Sequence, residues 1–232
     1  MERHIWAWVG LDANRRFEGY ADATGDIYLV GYAAGGITFF DDAGVGIKPS
    51  AIDVWQTKEL AASCPGAIGI IFEILGMTSD VAIRKKGSSD NYYERTETHQ
   101  WGVVGCDEQQ RVEVKAAYLD ANRDIYVIGY ITAGCYFRTN GKDIKVATDA
   151  AWHDKDLLTD APDGIIAFIE RAHGSTGWLG LRRKGETGPD ADVYEITYDH
   201  TWAMVAMDAN GLIQIKMQAT DTLNLIGWAI GH

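Results

Sequence analysis

Apolar and polar residues alternate with a period of two along most of this chain, which predicts strands rather than helices. In the first stretch His4, Trp6 and Trp8 fall on one side. Asp12-Ala13-Asn14 then turns the chain, residues 17–21 run back, and Ala23-Thr24-Gly25 turns it again. Residues 27–32 form the third predicted strand, with Ile27 and Leu29 on one side and Tyr28, Val30 and Tyr32 on the other. Bulk on both sides predicts a central strand covered on both faces. Residues 33–65 are looser, with loops at Gly35-Gly36 and 41–46 and a short charged strand at 55–60 that suits a sheet edge. Further strands are predicted at 68–75, at 81–84, as one long run over 92–104, and at 112–118.

The pattern then repeats. Asp-Ile-Tyr-Leu-Val-Gly-Tyr at 26–32 returns as Asp-Ile-Tyr-Val-Ile-Gly-Tyr at 124–130, and a degraded copy at 223–228 again places its glycine, Gly227, 98 residues after Gly129. Trp55 and Lys58 match Trp152 and Lys155, and Arg84-Lys85-Lys86-Gly87 matches Arg182-Arg183-Lys184-Gly185. His-x-Trp occurs three times, ending in Trp6, Trp101 and Trp202. Strands at 165–172, 193–205 and 213–219 continue the second copy. A fixed period of this length means tandem structural units. The expected organisation is a three-strand half-unit at 1–32 and β-sandwich repeats at 33–132 and 133–232. The fold class is all-β, two antiparallel jelly-roll-like sandwiches plus the three-stranded segment, with a β-propeller-like arrangement as the alternative. The expected repeat core is Trp6, Trp101, Trp202, Tyr28, Tyr126, Gly31, Gly129 and Gly227.

Composition narrows the partners. With 33 acidic and 21 basic residues the net charge is −12, which repels a phosphate backbone, so no nucleic-acid partner is expected. No apolar run approaches a membrane span, and residues 1–4 lead straight into patterned sequence without a signal-peptide core. Neither membrane insertion nor an export signal is expected. Cys64, Cys106 and Cys135 are odd in number and are not cysteine in the other copies, so they read as buried small side chains, not disulfides or metal ligands.

Candidate chemistry is sparse. The three His-x-Trp histidines lack a second ligand at fixed spacing and read as packed strand residues. Asp-Ala-Asn at 12–14, 120–122 and 208–210 has calcium-loop spacing, but lacks the further acids such a loop needs and reads as Asx turns. Trp55 and Trp152, with Lys58 and Lys155, could form a sugar-stacking platform, and Arg84, Lys85, Arg182 and Arg183 could meet an acidic partner. No nucleophile elbow, phosphate loop, zinc-protease or dinucleotide motif occurs, so no catalytic residues, metal or cofactor are expected, and the chain reads as non-enzymatic.

Trp-x-x-Lys-acid-Leu, the apolar strand after a Pro-containing loop, residues 84–91, His-x-Trp and the Asp-Ile-Tyr phrase together resemble a β-sandwich module found in phage and other microbial virus proteins. The resemblance spans nearly the whole chain and rests on fold-core residues, so it implies architecture and a virion association, not an active site. The second copy departs from it at 186–189, Glu-Thr-Gly-Pro against Ser-Ser-Asp-Asn at 88–91. A weaker likeness to short β-propeller repeats runs through the Asp-Ile-Tyr phrase. The function expected from the resemblance is a structural component of a virus particle (capsid, decoration or tail), made in the cytoplasm and contacting copies of itself or other virion proteins. The alternative is a carbohydrate-binding or host-attachment module.

Overall fold

The structure, a computed structural model, describes residues 5–19, 27–41, 44–76, 79–96, 98–119, 121–172, 177–187, 194–197, 199–218 and 221–231. No helix occurs among them. The strands are β1 (Ile37–Phe39), β2 (Val45–Gly46), β3 (Gln56–Glu59), β4 (Gly69–Leu75), β5 (Asp80–Lys85), β6 (Glu94–Arg95), β7 (His99–Gly105), β8 (Arg111–Ala116) and β9 (Asp124–Ile131), followed by β10 (Cys135–Asp143), β11 (His153–Asp156), β12 (Gly164–Ala172), β13 (Gly177–Arg183), β14 (Glu195–Thr197), β15 (His200–Ala206), β16 (Leu212–Met217) and β17 (Thr222–Ile230).

They form four antiparallel sheets, none closed into a barrel. The first unit contributes β1-β9-β4-β7, with β2 also on β9, and β3-β8-β5-β6. The second contributes β10-β17-β12-β15 and β11-β16-β13-β14, the same order strand for strand. Each unit is therefore a sandwich in which the chain crosses repeatedly between its two sheets. β7, β8 and β9 never pair with one another; β7 lies on β4, β8 between β3 and β5, and β9 between β1 and β4.

Registers repeat as closely as the order. Ile37 pairs with Ile131 and Cys135 with Ala229, each member of the second pair 98 residues beyond its counterpart. The two units share a bulge at the same place. Ile71 faces Gly129 but Phe72 faces Val127, which skips Ile128; Phe168 faces Gly227 but Ile169 faces Leu225, which skips Ile226. The repeated glycine beside each bulge has a steric cause. A Cβ on Gly129 would stand 2.7 Å from the Thr38 carbonyl oxygen, and one on Gly227 2.5 Å from that of Tyr136.

Alternation along β9 buries Ile125, Val127 and Ile131 completely on one side and leaves Tyr126 and Tyr130 half-buried on the other. Both faces are occupied because this sheet packs on its own unit's second sheet and also on the second unit. Phe72 on β4 meets Trp202 on β15 edge-on, with ring centroids 4.9 Å apart. Phe137 on β10 stacks on Phe168 at 5.6 Å. Ser88 Oγ and the Ser89 N–H donate to Asn140 Oδ1 at 3.0 and 2.8 Å, and the Gly141 N–H donates to Asp90 at 2.6 Å. The loop after β5 therefore binds the first unit to β10 of the second.

Three expectations need correction. The runs 92–104 and 193–205 are each two strands, β6 with β7 and β14 with β15, because the chain passes from one sheet to the other between them. Short strands β1 and β2 occupy a stretch read as loop. The three-strand half-unit at 1–32 has no strand among its described residues, 5–19 and 27–32. Residues 1–4 and 20–26 lie outside the described set. Three consecutive strands were expected to pair as hairpins, yet the matching strands β7, β8 and β9 all pair with earlier strands of their unit. Among the described residues no such strand lies alongside the N-terminal copies of β7 to β9. Tyr28 and Gly31 are accordingly not core: Tyr28 is exposed, and nothing lies within 4 Å of a Cβ placed on Gly31.

Candidate functional site

The outer sheet of each unit brings together side chains that stand far apart in sequence. Thr57 on β3 and Arg84 on β5 both face Glu113 on β8, and Trp55 lies two residues before Thr57, on the same side. The Arg84 guanidinium lies 3.8 Å from the Trp55 ring centre, and its Nε donates to Glu113 at 2.9 Å. Lys86 Nζ donates to the other Glu113 oxygen at 2.7 Å, and the Trp55 indole N–H donates to Asn91 Oδ1 at 3.1 Å. Farther along, Lys115 covers the Tyr93 ring at 3.9 Å while the Tyr93 hydroxyl donates to Asp53 at 2.6 Å.

The second unit repeats the cluster with its acid moved. Arg182 lies 4.0 Å from the Trp152 ring centre and Lys216 lies 4.2 Å from that of Tyr194. Gln214 takes the place of Glu113, accepting from Arg182 Nε at 2.7 Å and donating to Asp154 at 2.9 Å. Asp154 in turn holds Lys184. Each unit thus keeps one carboxylate among the same cations, on β8 in the first and on β11 in the second.

Neither carboxylate is poised for proton transfer at neutral pH. Burial pushes the Glu113 carboxyl up, but hydrogen bonds from Lys86 and Arg84 outweigh it and hold the group below its ordinary value. The hydrogen bond from Lys184, followed by that from Gln214, lowers Asp154 in the same way. A guanidinium on one face of each indole also removes that face as a sugar-stacking surface. Lys58 turns away to the Lys48 carbonyl at 2.7 Å, and its ammonium is lowered by burial. Lys155 is half-buried on β11. Lys85 points to the other side of β5, toward the Phe137 carbonyl at 3.4 Å, and Arg183 is exposed.

The histidine and tryptophan elements form a second repeated constellation. His99 Nε2 contacts Glu73 at 2.6 Å and stacks on Trp101 with ring centres 4.1 Å apart. His200 Nε2 contacts Glu170 at 2.8 Å and lies 4.1 Å from Trp202. His200 is wholly buried, because its Nδ1 also reaches the Val81 carbonyl on β5 of the first unit at 2.8 Å. Trp6, Trp8, Trp101 and Trp202 line one narrow cleft between β7 and β15, so the three copies of the element converge. Sequence reading found the residues of both constellations but not their partners. Glu73 with Glu170 and Lys86 with Lys184 were visible only as further pairs recurring at about the same interval.

Among the described residues no three His, Cys, Asp or Glu side chains gather as a metal site. A cleft between Trp55, Asp90 and Arg138 holds about 20 Å³, room for one water. Cys64 and Cys106 are buried and Cys135, expected to be buried as well, is only partly so; burial pushes Cys64 and Cys135 up to about 11 and Cys106 up to about 12. Native protein at pH 8 is therefore expected to leave a disulfide-exchange reagent unreacted on the minute scale, with all three thiols titrating after denaturation; rapid release from folded protein would contradict this burial. Compared with known protein families, curated proteins and solved structures, the chain matches none.

Proposed function

We propose that this protein is a non-enzymatic building block of a larger assembly and acts through protein contacts; its resemblance to virus modules favours a virus particle as that assembly. The observation that carries the reading is an apolar strand phrase left in solvent. Ile27, Leu29 and Tyr32 are 64, 79 and 80% exposed, whereas Ile125 and Val127, at the first two of the matching positions of β9, are fully buried. Singly exposed apolar residues are ordinary, but a contiguous run of this kind marks an interaction surface. The repeated charged clusters support the same reading, since their carboxylates are held by cations and not aimed at a cavity.

Light scattering on the purified chain tests this. Association that grows with concentration is expected, and Ile27→Asp combined with Leu29→Asp should suppress it while leaving both sandwiches folded. Equal monomeric masses of about 25.5 kDa for both proteins at every concentration would remove the basis of the reading.

A further inference from the structure

The outer sheets of the two units are one scaffold built twice, so differences between them on the outward face are not dictated by that scaffold. Three carboxylates of the first unit's face are replaced in the second. Asp53 and Ala150 occupy one position: both have φ 58°, and their N–H groups donate at 3.0 Å to the carbonyls of Ala116 and Met217. Asp80 and Trp178 occupy another, each directly before the residue, Val81 or Leu179, that faces Ala116 or Met217. Glu113 is the third, and Gln214 stands in its place. The face gains Asp154 where the first unit has Thr57, and that acid is held by Lys184 and Gln214. Asp149 contacts His153, which alternates to the opposite side of β11 from Asp154. The cations are kept: Arg84, Lys86 and Lys115 return as Arg182, Lys184 and Lys216.

These exchanges change what the face presents. In the first unit the Tyr93 hydroxyl donates to Asp53, and burial, that hydrogen bond and the charges of Asp53 and Asp80 push it above its ordinary value. The Tyr194 hydroxyl finds no hydrogen-bond partner among the described residues, and the acid that acts on it, Asp221, is buried against Arg171. Lys216 lies 4.2 Å from the centre of the Tyr194 ring and 5.8 Å from that of Trp152, and among the described residues no carboxylate pairs with it. Where the first unit has Asp80, Trp178 is 39% exposed, the only exposed tryptophan among the described residues, with its ring centre 5.4 Å from that of Tyr194. The sugar-stacking surface expected at Trp55 and Trp152, where a guanidinium covers one face of each indole, is thus offered instead by Trp178.

The chemistry of the face selects its ligand. A pyranose ring lays its C–H face on an aromatic surface while its hydroxyls stay in water, and a carboxylate on that ring meets an ammonium through a charge-assisted hydrogen bond. A polypeptide lying across the face of a sheet finds no strand edge to extend, and the net charge of −12 opposes a phosphate chain. We propose that the outer sheet of the second unit binds a carboxylate-bearing saccharide, with a pyranose ring on Trp178 and the carboxylate at Lys216. The site draws nothing from residues 27–32, so it stands or falls separately from the assembly reading.

The test titrates the full chain with trigalacturonate, a hyaluronan tetrasaccharide and sialyllactose, following the indole N–H resonances. At least one of these acidic sugars is expected to shift Trp178, with its neutral counterpart, the methyl ester or lactose, binding about tenfold more weakly or worse. Trp178→Ala should abolish the shift of the neighbouring Tyr194 ring signals. Ala150→Asp combined with Gln214→Glu returns two acids that the first unit's scaffold already carries and keeps both rings, so it should fold as the parent does and weaken the acidic sugar about tenfold or more. This double variant decides the matter if Trp178→Ala perturbs the fold. The proposal is overturned if none of the three sugars binds at concentrations up to about 10 mM, if neutral and acidic forms bind equally, or if the double variant binds as tightly as the parent. Tighter binding of oligothymidylate or polyglutamate at Trp178 would also overturn it, by assigning the face to a different class of partner.

Discussion

Asp221→Ala should destabilise the second unit by about 3–5 kcal/mol, the cost of leaving a buried charge without its counter-ion. Arg171 Nε donates to Asp221 at 2.6 Å, and both side chains are completely buried. The same guanidinium donates to the Thr197 side chain and to its carbonyl, so it is fixed in place and cannot swing to water when the carboxylate is removed. The first unit solves the equivalent position differently. Arg171 faces Leu223 in the register where Ile74 faces Ile125, and Ile74 is fully buried. An apolar residue is therefore compatible with the position of Arg171, and because replacing both members removes the two buried charges together, Arg171→Ile combined with Asp221→Val is expected to recover at least half of the loss. Urea denaturation followed by tryptophan fluorescence measures both. A single-variant cost below about 1 kcal/mol would show that Arg171 finds another partner or reaches solvent.

The second large effect is expected at the contact between units. Phe72→Ala removes a fully buried ring that stands edge-on to Trp202, and comparable deletions cost about 3–5 kcal/mol through lost burial and the cavity left behind. Collapse of the cavity is hindered on both sides. Gly102 faces Phe72 across the ladder, and a Cβ there would lie 2.3 Å from the Phe72 ring and 2.8 Å from Trp202, so the two rings fill the space a side chain would otherwise take. Phe72→Leu should cost markedly less. Trp202 emission should shift to longer wavelength in the alanine variant, and an unshifted spectrum with unchanged stability would mean that the units are not coupled through this pair.

Much of the architecture was legible because the repeat writes each core position twice. Trp55 with Trp152 and Gly129 with Gly227 fixed the period, and the charged edge strand at 55–60 appears as β3 at a sheet edge. Pairing was not legible. Strand order in each sheet interleaves elements from distant parts of the unit, and alternation reports which residues share a face, never which strand lies alongside. That is why Trp55 and Arg84 read as separate features although they touch, and why the N-terminal strands were expected to pair among themselves. The aspartate turns show a different gap. Matching letters grouped Asp12-Ala13-Asn14 with residues 120–122 and 208–210, although 120–122 stands at the next turn and its first member lies outside the described residues. Hydrogen bonding keeps Asp208 and adds Asp107, which the letters did not show, since what the turn needs is a carboxylate accepting N–H groups two and four residues on, not an asparagine at the second step.

Interleaving also governs the order of events during synthesis. Ile37 finds its partner only at Ile131, so β1 and most of β4 emerge from the ribosome long before the strand that lies between them exists. At about 5–20 residues per second, roughly 5–20 seconds separate the two. The nascent first half, with its run of Ile70, Ile71 and Phe72, must be kept from aggregating throughout that interval, and a chaperone that recognises extended apolar segments is the natural means.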